Sequence, residues 1–442
     1  MRKTTLFLLL SICWIAPALA ADGFFTVGQQ DDRWWFFDPD GEKFFSTGVN
    51  VTNPSGYYCP DLGYSPYNVN ILNLYGTEEA WADVTAARLE SWNFNTLGGW
   101  SDVDLLGDRL AYTTVLYMSG ADWVSGFVPD YWGQEFYDRV AEKAATCAAM
   151  QDDPLLLGYF IDNEMRWGPD WRRFADLFAD YMHLPKTAPG KRELVEWLRA
   201  RYAGNLVDFN QVYNMSVGSW NELLAVTQTT PLPMNARQAD DREAWLAVVA
   251  EQFFTITTDS IRDADPNHLV LGSRFVSWLT PAVVLDAAAE VCDVISINHY
   301  LVWQPLQWVA YSLYDWARMV SPDEMLTHYY ERTGLPVLIS EWSFRGLDAV
   351  PPSTWPPPIV FMTAQDQQQR ATWAQQYASQ CVHSEYCLGY HWFAYMDEPE
   401  LGRFDGEDSN FGLVAETDDP YPLLVDVFTE VNVEAYDWPF DR

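Results

Sequence analysis

The sequence predicts an α/β protein, specifically a (β/α)8 barrel with a long helical insertion after the fourth strand. Eight short apolar runs recur along the 442 residues, and amphipathic helical patterns separate most of them. The runs are apolar almost throughout, as strands of a parallel sheet covered on both faces should be. Such strand–helix alternation is typical of a barrel, and about 420 residues suffice for one barrel domain with insertions.

The predicted elements follow in chain order. The first strand closes a hairpin at 33–50, which turns at Asp38-Pro39-Asp40-Gly41 and ends at Asn50. The other seven strands are predicted at 94–100, 112–118, 155–162, 269–273, 293–300, 336–342 and 388–393. Helices are predicted at 77–92, with Thr77 as N-cap, and at 135–150, 280–291, 321–334 and 363–381. The excursion from about 166 to 266 is largely helical and should lie over the carboxyl ends of the strands.

The amino terminus has the features of a secretory leader. Basic residues at positions 2 and 3 precede an apolar core, which ends at Ala18-Leu19-Ala20. The core is too short to span a bilayer. We therefore predict a signal peptide over residues 1–20, a single catalytic barrel domain over 21–442, and a periplasmic or secreted location.

The charge and the aromatic content restrict the classes of partner. The formal net charge is −36, from 26 basic and 62 acidic side chains, which repels nucleic acid and other polyanions. A neutral ligand suits this surface better, and no membrane partner is expected. Aromatic residues make up 16% of the chain, and the 22 tryptophans exclude disorder. Indole rings either fill a core or line a sugar site. The oligomeric state stays open.

The cysteines and histidines do not predict a metal site. Outside the leader, Cys381 and Cys387 lie close enough in sequence to form a disulfide in an oxidising compartment. No cysteine has metal-ligand spacing with a histidine, and the six histidines are scattered. We expect neither a metal nor a cofactor.

Catalytic groups of a barrel lie where its strands end. Taken strand by strand, the candidates are Asn50, Trp100, Asp102, Asn163, Glu164, Arg274, His299, Tyr300, Glu341, Trp342, His391 and Trp392. Two glutamates, Glu164 and Glu341, both close apolar runs on strands that lie roughly opposite each other in an eight-membered ring. Retaining glycoside hydrolysis needs such a pair, one carboxylic acid to protonate the leaving oxygen and one carboxylate to attack carbon.

Asp162 competes with Glu164, because strand side chains alternate and both could point the same way. Asp162 is one step deeper, where anchoring a loop fits better. We therefore assign Glu164 as the acid/base and Glu341 as the nucleophile. Trp100, Trp342 and Trp392 are candidate sugar platforms. His391 could bind a hydroxyl or be a satisfied core histidine. Arg274 and Arg403 could grip hydroxyls or hold carboxylates in place.

Several stretches resemble the β-agarases of glycoside hydrolase family 50, within the clan A retaining glycoside hydrolases. They include "GYFIDNEMRWG", "DVISINHY", "LISEWSFRG" and "GYHWFAYMDEPELGRFDGEDSNFGLV", and together they span about 94 to 414. The resemblance implies that Glu164 donates the proton, that Glu341 attacks, and that Asn163 contacts the sugar near its 2-hydroxyl. It also implies that His299 and Tyr300 flank the nucleophile and help to bind substrate, and that Trp392 forms a sugar platform. By the same resemblance, Arg403, Asp405 and Glu407 belong to a substrate loop.

The expected reaction is cleavage of β-1,4-galactosidic bonds in agarose or agaro-oligosaccharides, with exo action because the excursion and the 402–412 loop should roof the cleft. Three alternatives stay open. The first is another clan A β-glycosidase, such as a mannanase or a β-galactosidase that acts on short oligosaccharides. The second is a non-catalytic sugar-binding barrel, and the third is a metal-dependent barrel hydrolase.

Overall fold

A computed structural model describes residues 23–301, 321–357 and 362–439, so the predicted leader lies outside the described residues. The strands are β1 (Thr26–Gln30), β2 (Arg33–Phe37), β3 (Lys43–Phe44), β4 (Ser46–Val49), β5 (Thr96–Leu97), β6 (Ala111–Val115), β7 (Leu156–Phe160), β8 (Leu269–Val270), β9 (Phe275–Val276), β10 (Ile295–Asn298), β11 (Val337–Trp342), β12 (Arg345–Gly346), β13 (Thr363–Ala364) and β14 (Cys387–Trp392).

The helices are α1 (Pro66–Tyr75), α2 (Glu78–Ser91), α3 (Val103–Leu106), α4 (Gln134–Met150), α5 (Leu177–His183), α6 (Pro189–Arg201), α7 (Leu206–Tyr213), α8 (Trp220–Leu223), α9 (Ala236–Ala264), α10 (Ala282–Ala289), α11 (Pro322–Thr333), α12 (Gln367–His383) and α13 (Pro422–Glu434). In the part of the chain that is described, none of them combines the length and the hydropathy that a bilayer crossing requires.

The fold is mixed α/β and is built on one nine-stranded parallel sheet. The strand order is β8–β7–β6–β5–β4–β14–β11–β10–β9, and every pair in it is parallel. The first and last strands of this order come from one segment, 269–276. Leu271 N donates to Tyr159 O at 2.8 Å on one side, and Val270 O accepts from Asp293 N at 3.0 Å on the other. The sheet therefore curls back on itself.

The segment that joins the two ends of the sheet is interrupted. Gly272 has φ +82° and Arg274 has φ +44°, a region that an L-residue with a side chain seldom adopts. The one strand predicted at 269–273 is accordingly split into β8 and β9. The break places Arg274 where its side chain reaches polar groups at the carboxyl ends of β7 and β11.

Each of the eight predicted strands overlaps an observed strand, and each predicted helix overlaps an observed helix. The Thr77 side chain accepts from Ala80 N, which confirms the predicted N-cap. The last predicted helix starts later than expected, at Gln367, because Thr363–Ala364 pairs with β12 and Asp366 caps the helix. The sequence patterns missed β1, α1, α13 and the short elements α3, β12 and β13.

The sheet is covered at its amino end by a small antiparallel sheet, β1–β2–β3. Phe36 of β2 and Phe25, which precedes β1, form a separate apolar cluster with strand residues such as Leu157 and Leu388. The larger cluster lies between the sheet, the helices around it and the helices of the excursion. Cys381 and Cys387 belong to that larger cluster as buried free thiols, so the disulfide that their spacing would allow is not formed in this structure.

Candidate active site

Glu164 and Glu341 meet at the carboxyl end of the sheet. Asn298, the last residue of β10, donates from its Nδ2 atom to Glu164 Oε1 at 3.1 Å and to Glu341 Oε2 at 3.4 Å. Both oxygens contact one nitrogen, so they cannot be farther apart than the sum of these two distances. In retaining glycosidases the two carboxyl groups are about 5–5.5 Å apart, which is within this limit. The range of separations in inverting glycosidases begins close to the limit.

Glu341 is buried and held by two side chains. Arg274 Nη2 lies 2.5 Å from Glu341 Oε2, and the Tyr300 hydroxyl donates to Glu341 Oε1 at 2.8 Å. The pKa of Glu341 is raised to about 7, because burial and the nearby Glu164 carboxyl together outweigh the opposing effects of Arg274 and Tyr300. Near neutral pH this carboxyl therefore switches between its protonated and ionised forms.

Glu164 stands on a strained turn just past β7. Its φ is +47°, and its backbone is fixed by Arg274 O, which accepts from Glu164 N, and by Arg172, which donates to Glu164 O at 2.8 Å. The side chain is half-buried, and its Oε2 accepts from Trp123 Nε1 at 3.1 Å. One carboxylate oxygen thus faces Asn298 and Glu341, and the other faces Trp123.

The two residues before Glu164 have different roles. Asp162 is buried and accepts from Ser119 N at 2.8 Å and from Asn163 N at 2.9 Å, which confirms that it anchors the neighbouring loop. Asn163 Oδ1 accepts from Arg274 Nε at 2.7 Å and from Asn298 Nδ2 at 3.1 Å. Asn163 therefore belongs to the same network as the two glutamates.

Arg274 is the centre of this network. It is fully buried, donates from Nη1 to Ser340 O at 3.0 Å, and places its guanidinium 4.5 Å from the centre of the Trp100 ring. Asn50 Nδ2 donates to the same Ser340 O at 3.1 Å. Asn50 is fully buried below the carboxylates, so its predicted role in binding substrate is corrected to one of supporting Arg274 and the main chain.

Two of the three predicted sugar platforms are wrong. Trp342 and Trp392 are fully buried: the first stacks on Tyr377 at a centroid distance of 4.0 Å, and the second donates to Phe411 O at 2.8 Å. Each follows a residue that faces the interior of the sheet, and successive strand side chains point to opposite faces. Their rings therefore pack under the helices. Trp100, half-buried, donates to the Tyr117 hydroxyl at 2.5 Å at the mouth.

The histidines and Asp102 also have structural positions. His391 is fully buried against Ser46 Oγ at 2.9 Å, and burial lowers its pKa to about 3, so it is a neutral core histidine. His299 is buried with Nδ1 2.7 Å from Ser277 Oγ. Asp102 accepts from Leu105 N at 3.2 Å as the N-cap of α3. Of the two roles considered for His391, the core histidine is the one that its burial supports, and the substrate contact predicted for His299 is corrected to packing. Asp102 is half-buried, so its substrate contact stays a prediction.

Ion pairs of Arg403 with nearby carboxylates hold the predicted substrate loop in place. Arg403 Nη2 lies 2.6 Å from Glu407 Oε2, and Arg403 Nε lies 3.1 Å from Asp405 Oδ1 and 3.3 Å from Glu398 Oε1. Burial raises the pKa of Glu398 and that of Glu407. Of the two roles considered for Arg403, holding carboxylates is the one that the contacts support.

Sequence reasoning missed several side chains at the mouth. They are Asn298, Tyr117, Trp123, Trp171 and Phe404. Asn298 lies near the end of a predicted strand, beside His299 and Tyr300, and this position is a signal that can identify it. The three aromatic loop residues Trp123, Trp171 and Phe404 carried no such signal. In the described ranges no three metal-ligating side chains converge in a way that could hold an ion.

Known proteins that are similar to this chain include two β-agarases and a set of solved structures. No family model matches the chain. It is 30% identical to β-agarase A of Vibrio sp. (strain JT0107), over 92% of this chain and 45% of the relative. It is 27% identical to β-agarase B of the same organism, over 95% of this chain and 49% of the relative. The chain thus spans about half the length of these relatives.

One of the similar solved structures is that of an exo-β-agarase. It superposes with a TM-score of 0.78 at 24% sequence identity, over 94% of this chain and 65% of that chain. This likeness supports the mixed α/β fold.

Proposed function

We propose that this chain is a retaining glycoside hydrolase. It is related over almost its whole length to two β-agarases, as its resemblance to glycoside hydrolase family 50 led us to expect. Its proposed substrates are the β-1,4-galactosidic bonds of agarose or of agaro-oligosaccharides. The observation that carries the proposal is the contact of Asn298 Nδ2 with both Glu164 and Glu341.

The proposed mechanism is double displacement. An oxygen of ionised Glu341 attacks the anomeric carbon, and protonated Glu164 gives its proton to the departing glycosidic oxygen. In the second step, Glu164 takes a proton from water, the water oxygen bonds to the anomeric carbon, and the bond to Glu341 breaks. Each step inverts the configuration, so the product retains it. Arg274 and Tyr300 hold the Glu341 carboxylate and stabilise its charge when it leaves.

The full architecture belongs to the same proposal. The two halves of the segment 269–276 bond to opposite ends of the sheet order, which supports a closed (β/α)8 barrel. The helices between β7 and β8 support the predicted insertion after the fourth barrel strand. We assign them to one catalytic domain, with residues 21–442 as its predicted extent.

Exo action is supported by loops that cross the mouth. Phe404, which follows β14, contacts Trp123, which follows β6, at a centroid distance of 6.4 Å, although two strands separate β14 from β6 in the sheet. Asp408 accepts from Thr354 N at 2.7 Å and from Trp355 N at 2.6 Å, which joins the loops after β14 and β11. A roofed cleft admits a chain end more readily than the middle of a polymer.

Charge and the predicted leader complete the proposal. A protein of net charge −36 suits a neutral galactan better than a heavily sulfated one. The predicted leader at 1–20 would export the enzyme to the periplasm or the medium, where such a polysaccharide occurs.

Product analysis tests the proposal. The protein should release neoagaro-oligosaccharides from agarose and from neoagarotetraose, and proton NMR of the first product should show the β-anomer. Fast hydrolysis of lactose with agarose untouched would favour the β-galactosidase alternative, and no turnover of either would favour a sugar-binding barrel. A rapid fall in agarose viscosity with few reducing ends would replace exo by endo action.

A further inference from the structure

Three aromatic side chains meet at the mouth beside Glu164. Trp123 follows β6, Trp171 follows β7, and Phe404 follows β14. The ring of Trp123 makes edge-to-face contacts with the other two, each at a centroid distance of 6.4 Å. Loops from three separate strands thus converge on one indole. We call these three residues the aromatic cluster.

The cluster remains open to solvent. Trp171 is 57% exposed and Phe404 is 64% exposed, whereas two of the three tryptophans expected to bind sugar, Trp342 and Trp392, are fully buried. The guanidinium of Arg172 lies 4.5 Å from the centre of the Trp171 ring, and that of Arg403 lies 5.5 Å from the centre of the Phe404 ring. The arginines fix the orientation of both rings from within the protein and leave their other surfaces exposed.

The position of the aromatic cluster relative to Glu164 indicates which part of a substrate the cluster would contact. Trp123 Nε1 donates to Glu164 Oε2, while Glu164 Oε1 faces Asn298 and, through it, Glu341. The cluster therefore adjoins the side of Glu164 that faces away from the nucleophile. In double displacement the leaving group departs over the acid/base, opposite the attacking carboxylate. Sugar units on the leaving-group side of the cleaved bond therefore pass over these rings.

We propose that the aromatic cluster binds the leaving-group portion of a neutral oligosaccharide, with Trp123 also positioning the Glu164 carboxyl. Flat sugar faces stack on aromatic rings without a need for charge, and the carboxylates around Arg403 lie nearby for hydroxyl groups. The inference rests on the proposed function, because it takes Glu164 as the acid/base.

The test compares two substrates that differ in their leaving groups. An aryl β-galactoside has a small activated leaving group, whereas neoagarotetraose places sugar units on the leaving-group side. In the double variant Trp171→Ala/Phe404→Ala, kcat/KM for neoagarotetraose should fall by about tenfold or more, which corresponds to about 1.4 kcal/mol. For the aryl galactoside the fall should be at most about twofold.

The matched control is Phe174→Ala. Phe174 is 64% exposed and lies three residues from Trp171, and it makes no aromatic contact among those described. This variant should retain the preference of the native enzyme between the two substrates. An equal loss on both substrates in the double variant, or an equal effect of Phe174→Ala, would overturn the inference.

A binding measurement separates failure of this inference from failure of the proposed function. Calorimetric titration of the inert variant Glu341→Gln with neoagarotetraose gives an affinity without turnover. Adding Trp171→Ala/Phe404→Ala should weaken that affinity by about tenfold. If the native protein cleaves neoagarotetraose and the affinity is unchanged, the cluster does not bind the leaving group. If the native protein neither cleaves nor binds it, the proposed function itself fails.

Discussion

The two ends of the sheet each bury an arginine, and the two arginines have opposite surroundings. At the carboxyl end, Arg274 donates to Asn163, to the main chain at Ser340 and to Glu341. At the amino end, Arg33 is equally buried, but within the described ranges its guanidinium makes no hydrogen bond. Its contacts are aromatic, with the centres of the Trp35, Phe45 and Trp438 rings at 4.5 to 5.1 Å.

The surroundings of the two arginines distinguish a residue that serves the chemistry from a residue that serves the packing. Burial lowers the pKa of Arg33 to about 10, because the rings around it replace water only in part. Arg274 faces a carboxylate that is itself buried, so each charge depends on the other. A buried charge with polar partners at the strand ends marks the functional end, and a buried charge among rings marks the structural end.

The largest effect should come from removing the carboxylate that Arg274 faces. Glu341→Gln should lower kcat on an aryl β-galactoside by at least about a thousandfold, because an amide cannot attack the anomeric carbon. The fold should remain, because glutamine is nearly isosteric and can still accept from Arg274. Circular dichroism and turnover should be measured together, with the exposed Glu243→Gln as control. Residual turnover near the native rate would remove Glu341 from the mechanism.

One substitution made at both ends sharpens the comparison further. Arg274→Met should lower kcat/KM by about 10²–10³, as loss of one charge-stabilising donor does. Arg33→Met should leave kcat/KM unchanged and alter the free energy of unfolding by less than about 2 kcal/mol, since it removes ring contacts and no hydrogen bond. Steady-state kinetics and urea unfolding of both variants measure this. Similar activity losses at the two ends would contradict the distinction.

The pH dependence of activity should follow the ionisation of Glu341. Its pKa of about 7 means that activity falls as pH falls through about 7, because the nucleophile must be ionised. Arg274 lowers the pKa of Glu341, so in Arg274→Met the acid limb of kcat/KM should move to higher pH. An acid limb that stays in place in this variant would argue against control of Glu341 by Arg274.

The same titration affects stability. Glu341 binds its proton more tightly in the folded protein than in the unfolded one. Its favourable contribution to the free energy of unfolding is therefore complete below its usual pKa of 4.5 and is lost as pH rises through about 7. Glu341→Gln should therefore melt near the native temperature at pH 5 and above it at pH 8. A constant difference between the two melting temperatures across this range would contradict the assigned shift.

The smallest effect concerns the outer surface, remote from both arginines. With a net charge of −36, the acidic side chains repel each other at low ionic strength and are screened over about 8 Å at physiological salt. The melting temperature should rise by a few degrees between low salt and a few hundred millimolar sodium chloride. Sucrose of equal osmolality serves as the control. A flat melting temperature would mean that the acids are spread too widely to interact.

Much of the fold could be predicted, because apolar runs of strand length and helical patterns alternate along the chain. The meeting of Glu164 and Glu341 at one end of the sheet was also predictable, since each closes such a run. The break at Arg274 was not, because its positive φ depends on contacts with β7 and β10 that are remote in sequence. Local patterns carry no information about such contacts.

Errors in the predicted site have one main physical origin. Glu341 and Trp342 are neighbours on β11, so their side chains point to opposite faces, and only one can reach the mouth. The same holds for His391 and Trp392 on β14, where the inward His391 lies too deep to reach the mouth. Proximity to a strand end was therefore a weaker guide than the face on which a residue lies.

Azide rescue of Glu164→Ala tests the central claim most directly. The alanine variant should form the glycosyl–Glu341 bond from an activated aryl β-galactoside but release it slowly, because no base activates water. Azide needs no base, so it should restore turnover and yield the β-galactosyl azide, identified by proton NMR. An α-galactosyl azide would contradict the account, because azide would then have displaced the leaving group directly and Glu341 would not be the nucleophile.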